Sequence, residues 1–141
     1  MRRFLDGFRN AFVGLKTVFS EELNFKIELI IAVVVLCVSS KLKLNPNEML
    51  WIFLAIFLVL SAEILNSLVE EMMDFFKVEN EKIRKIKDVS AGLVLLTALF
   101  TTIVGVLILG KRLFNWGGVV GLTLYMVYIL TFLLLSFTKL R

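Results

Sequence analysis

The chain has no histidine, a single cysteine and a single proline among its 141 residues. Without histidine there is no imidazole general base, no HExxH zinc site and no Ser-His-Asp triad. The lone cysteine, Cys37, can form no internal disulfide and has no second thiol for a metal or redox pair. It sits in the apolar run 29–38 and reads as a packed membrane residue. No Pro/Gly/Ser-rich linker interrupts the chain, so one domain is expected. The net charge of +4 is dispersed and lacks an aromatic-interleaved basic patch, which excludes a nucleic-acid partner. Chemistry, if any, falls to carboxylates, to lysines or to a hard cation held by carboxylates.

What is abundant is apolar surface. The chain is 59% apolar, against roughly 45–50% for soluble domains, so the expected class is an all-α integral membrane protein. Residues 1–20 lack the uninterrupted apolar core of a signal peptide. Instead Phe4, Leu5, Phe8, Phe12, Leu15 and Phe19 recur at helical spacing, with Arg2, Arg3, Asp6, Arg9 and Lys16 elsewhere. That pattern predicts an amphipathic surface helix in the membrane interface, whose cations either anchor it or also face a polyanionic ligand. Transmembrane helices follow at about 25–44, 47–76 and 89–110, joined into a bundle. Asn45, Pro46 and Glu48 suit the N-cap, the first position and the first turn of the second span. Residues 77–88 read as a charged loop with five cations. Beyond 110, residues 111–141 hold an uncharged run over 116–137, a fourth span in which Gly117 and Gly121 permit close helix contact. With four spans, twelve of the sixteen Lys and Arg share the side of both termini and the 77–88 segment. The positive-inside rule then makes that side cytoplasmic in a multi-pass protein of the cell membrane.

The chemistry gathers on the second span. Glu63, Asn66, Glu70 and Asp74 fall at spacings of three, four and four, which advance about 300°, 340° and 20° around a helix from Glu63. They form one narrow polar line, and Glu63 lies where an isolated carboxylate costs roughly 2.5–3.5 kcal/mol. The line is either an interhelical hydrogen-bond seam or a site opening to water. At the same edge stand Glu22 before the first span, and Lys87 and Asp88 before the third. Glu22 and Lys26 could instead be an i,i+4 helix pair. Carboxylates from different helices suit Mg²⁺, which keeps waters and bridges phosphates, and lysine supplies a point charge for phosphate. A desolvated Glu63 can accept a proton from an alcohol at the interface. A phosphoryl-transfer layout without a P-loop results. A proton or cation relay is disfavoured by the absence of an internal repeat or a Gly/Pro-broken helix. A non-catalytic scaffold or small channel with a polar seam is the rival of a different class.

The stretch Glu63-Ile64-Leu65-Asn66-Ser67-Leu68-Val69-Glu70, followed by Met73 and Asp74, resembles the signature of the small bacterial membrane-integral lipid kinases. These are the diacylglycerol kinase and undecaprenol kinase family. Glu22-Leu23-Asn24-Phe25-Lys26-Ile27 and the stretch from Ile86-Lys87-Asp88-Val89-Ser90 to Leu96 agree with it, over about residues 3–110. The resemblance implies γ-phosphate transfer from Mg²⁺-bound ATP to a lipid alcohol. It implies Glu63 as catalytic base with Asn66 beside it, and Glu22 and Glu70 as metal ligands on ATP. It further implies nucleotide contacts by Lys87, Asp88 and, more loosely, Arg3 and Asn10, with the lipid near Glu63 and Ser90. A homotrimer with sites between subunits is also implied. Residues 78–81 lack a histidine that relatives often carry, and the fourth span is an addition. The stretches 91–95 and 24–27 look closer to undecaprenol kinases.

Overall fold

The computed structural model describes residues 2–77 and 80–139, with side chains described through Leu134. The chain folds as helices α1 (Arg2–Glu21), α2 (Leu23–Lys41), α3 (Pro46–Phe75) and α4 (Glu81–Gly105). A π-helical turn (Val106–Gly110), a short α5 (Lys111–Phe114) and α6 (Gly118–Lys139) complete it. No strand occurs among the described residues. Three helical stretches are long and apolar enough to cross a membrane: Leu23–Lys41, Pro46–Phe75 and Glu81–Phe114. Gly118–Leu134 is a shorter apolar helix. The expected architecture of a surface helix and a membrane bundle therefore holds. Arg141, one of the cations counted on the side of the termini, lies outside the described residues.

Local chemistry explains the boundaries. Asn45 and Glu48 close a reciprocal capping box, each side chain accepting from the other's backbone N–H at 2.9 Å, with Pro46 just inside. Asn80 caps α4 by accepting from the Ile83 N–H at 2.9 Å. This corrects the reading of 77–88 as a loop, since Glu81 to Asp88 are helical. The capped start, Glu81 in the first turn and a run of long unbranched side chains favour a helix. High charge marks only that this part of α4 stands outside the hydrocarbon. Lys43, Lys77 and Asn115 adopt left-handed backbone at φ of about 50°, the conformation that ends helices without calling on glycine here.

α1 displays Phe4, Leu5, Phe8, Phe12, Leu15 and Phe19 outward, the exposed stripe an interfacial helix requires. Glu22 is extended and separates α1 from α2. The core sits between α3 and α4, where Ile52, Ala55 and Val104 are buried against Val35, Leu36, Ile56, Phe100 and Ile103. In lipid, such contacts rest on close packing and polar ties rather than on expulsion of water. Small Ala55 admits one such tie, a hydrogen bond from the Thr101 hydroxyl to its carbonyl at 3.1 Å. Cys37, expected to be packed, is exposed on α2, because the stripe that meets α3 consists of Ala32, Val35, Leu36 and Ser39.

The edge opposite α1 is closed by Arg112, which donates to Glu48 at 2.7 Å across 64 residues of chain. There Trp116 lies so close to Gly110 that a Cβ on the glycine would come within 2.3 Å of the indole. Only Gly110 fits, and the π-helical turn places it there. Of the expected glycine pair, Gly121 is buried near Leu107 and Trp116, whereas Gly117 faces open space. The Tyr125 hydroxyl donates to the Leu99 carbonyl and fastens α6 to α4.

Candidate active site

The polar line of α3 becomes a gradient of burial. Glu63 is 2% exposed and Asn66 9%, Glu70 is half-buried and Asp74 is exposed. The line therefore leads from the bundle interior to its α1 edge. At its deep end the Asn24 side chain lies close to the Glu63 carboxylate. Ser67 donates to the Glu63 backbone carbonyl at 3.0 Å. Glu63 forms no ion pair among the described residues. Glu22 and Glu70 both lie close enough for their charges to act on it. One turn further out, the Asn66 amide donates to Glu70 Oε1 at 2.9 Å, and its carbonyl oxygen accepts from the Ser90 hydroxyl at 2.7 Å. At the outer end Lys87 of α4 is paired with Asp74.

Glu22 makes no pair with Lys26, contrary to one of its two expected readings. Its backbone is extended rather than helical, and the Lys26 ammonium donates instead to the Ser20 carbonyl at 2.8 Å. That carbonyl belongs to the last turn of α1, where a cation is favoured. The site thus brings together Glu22, Glu63, Asn66, Glu70, Lys87 and Ser90. Asp88 is exposed beside Lys87, without a hydrogen bond or ion pair among the described residues. Arg3 and Asn10 are exposed on α1, and no hydrogen bond or ion pair among the described residues joins either to α3 or α4.

Two cavities flank the line. The outer one, about 820 Å³, lies between the end of α3 and the start of α4 and is lined by Asp74, Lys77, Asn80, Arg84 and Lys87, among others. The inner one, about 250 Å³, runs between α2, α3 and α4 from Glu28 and Val59 down to Ile52 and Gly105. Glu28 carries a buried Oε2 without a hydrogen-bond partner and is close enough to Glu63 for their charges to interact. Neither Asn24 nor Glu28 is among the site residues expected from the sequence. Their spacing of four on α2 was the available signal, since it puts both on the face turned to α3.

Among the described residues no three or more His, Cys, Asp or Glu side chains converge on a common point. Glu22 and Glu70, the expected metal ligands, are thus not part of a larger ligand cluster. Two hard carboxylates fit Mg²⁺, which takes its remaining ligands from phosphate and water.

Taken together, the fold and the site define a membrane-embedded helical bundle with a carboxylate centre at one edge, between an apolar cavity and a cation-lined cleft. The family described as prokaryotic diacylglycerol kinase matches residues 9–109, more than half of the chain, and the chain belongs to that family. It is 34% identical over 103 residues to a diacylglycerol kinase of Synechocystis sp.. That alignment covers 72% of this chain but 59% of the relative, so the chain spans a little over half of the relative's length. No solved structure matches. The matched stretch ends just before Gly110, and α6 lies beyond it.

Proposed function

We propose that the protein is a membrane lipid kinase that transfers the γ-phosphate of ATP to a lipid alcohol. The observation that carries this reading is Glu63, a buried carboxylate with no ion pair among the described residues, in a chain of this family. Along α3 it lies between an apolar cavity that reaches Val59 and a cation-lined cleft that begins at Met73. Glu63 takes the proton of the lipid hydroxyl, and that oxygen bonds to the γ-phosphorus. The bond from phosphorus to the β–γ bridging oxygen breaks, and ADP leaves. Glu22 and Glu70 would hold Mg²⁺, which when bound neutralises phosphate charge. Lys87, with Arg84 and Lys77 beside it in the outer cleft, supplies point charges for the polyphosphate. Asp88, Arg3 and Asn10 complete the nucleotide contacts, the last two from α1 once it lies over the site.

The inner cavity supports a lipid acceptor, because it begins at Glu28 and continues along apolar side chains. Undecaprenol is the acceptor favoured by the sequence around Asn24 and Gly92, with diacylglycerol next. The protein acts at the cytoplasmic face of the cell membrane, as a homotrimer.

The test is transfer of labelled γ-phosphate from Mg·ATP in detergent micelles containing undecaprenol, dioleoylglycerol or no lipid, with Glu63→Gln as control. Lipid-dependent label that disappears in the variant supports the reading, and the better acceptor identifies the lipid. Folded protein that labels neither lipid overturns it in favour of a scaffold.

A further inference from the structure

The hydrogen bonds around Asn66 are constrained more tightly than their number suggests. Asn66 Nδ2 donates to Glu70 Oε1 at 2.9 Å, and Asn66 Oδ1 accepts from Ser90 Oγ at 2.7 Å. Rotating the amide by half a turn would set its oxygen against the Glu70 carboxylate, an acceptor facing an acceptor. The orientation is therefore dictated by two partners on two helices. Ser90 has one hydroxyl proton and two acceptors in reach, Asn66 Oδ1 and the Lys87 carbonyl at 2.8 Å. The Lys87 carbonyl is inside α4, where the backbone ladder already serves it. Asn66 Oδ1 belongs to a residue 9% exposed, and without Ser90 it would be a buried acceptor with no donor.

We propose that Ser90 and Asn66 are positioning residues for Glu70, acting in series. The Ser90 hydroxyl fixes the Asn66 amide, and the amide N–H fixes the carboxylate in the orientation that receives a cation. This goes further than the resemblance, which set Asn66 beside the base and Ser90 beside the lipid. It rests on the kinase reading only for what Glu70 holds. The relay also explains why α4 bears on a carboxylate of α3. Ser90 stands one turn from Lys87, so the helix that offers a cation to phosphate also orients the metal ligand opposite.

The experiment uses full-length protein in micelles, as wild type, Ser90→Ala and Ser90→Thr. The first readout is Mn²⁺ affinity in the presence of a non-hydrolysable ATP analogue, followed by the electron paramagnetic resonance of free Mn²⁺. Ser90→Ala is expected to weaken it about tenfold, whereas Ser90→Thr, which keeps the hydroxyl, stays within about twofold of wild type. The second readout needs neither metal nor nucleotide. The Asn66 side-chain amide resonances, assigned by their loss in Asn66→Ala, move in Ser90→Ala and return in Ser90→Thr. Unchanged Mn²⁺ affinity in Ser90→Ala overturns the proposal. So does a higher KM for the lipid at constant Mn²⁺ affinity, which makes Ser90 a substrate contact. Wild type that binds Mn²⁺ with the analogue but transfers no phosphate overturns the kinase reading alone, and the amide resonances still decide the relay.

Discussion

The two edges of the bundle treat their carboxylates in opposite ways. At the edge remote from α1, Glu48 is the only acid among four cations, Lys41, Lys43, Lys111 and Arg112. Its Oε2 accepts from both Arg112 and the Asn45 backbone. At the α1 edge stand Glu22, Glu28, Glu63, Glu70 and Asp74, and among the described residues one ion pair involves them, Asp74 with Lys87. Burial deepens the contrast, since Glu63 is almost wholly enclosed. A satisfied carboxylate at a helix start serves the fold. A buried one without an ion pair among the described residues costs stability, a cost that the proposed kinase reading would assign to catalysis.

Substitutions at the two edges should therefore diverge. Glu63→Gln should have the largest effect, lowering lipid-dependent phosphate transfer by at least about 10²-fold while ATP-analogue binding persists. A drop smaller than that would move the general base elsewhere. Glu70→Gln comes next, raising the Mg²⁺ concentration for half-maximal transfer by about tenfold or more. If the Mg²⁺ dependence were unaltered, the metal would lie away from Glu70. Gly110→Ala should reduce stability by about 1–3 kcal/mol through its clash with Trp116, visible as a lower melting temperature. Unchanged melting would show the indole free to leave. Glu48→Gln should cost about 0.2–1 kcal/mol, the range of a solvent-accessible ion pair, and leave transfer near the wild-type rate. Loss of turnover there would erase the distinction between the edges.

Much of the site was legible because it lies along one helix. The spacing of Glu63, Asn66, Glu70 and Asp74 defines a single face whatever the neighbours do, and Asn45-Pro46 announces its own helix start. What crosses between helices was less visible. Asn24 meets Glu63, and Arg112 meets Glu48, only through packing that no local pattern encodes. The start of α4 was hidden for another reason. Hydropathy marks where a helix meets lipid, not where it begins, so the charged residues 81–88 resembled a loop. Glu22 escaped its expected pairing because one extended residue breaks the helical spacing on which that pairing depends.

On the kinase reading, Glu63 is kept at a cost to the fold. Thermal unfolding of Glu63→Gln beside wild type, in the same micelles and with no ligand added, tests it most directly. A neutral side chain of nearly the same shape removes a buried carboxyl that has no ion pair among the described residues. Melting at or above the wild-type temperature is expected. A clear fall in melting temperature would contradict it and make Glu63 part of a structural seam.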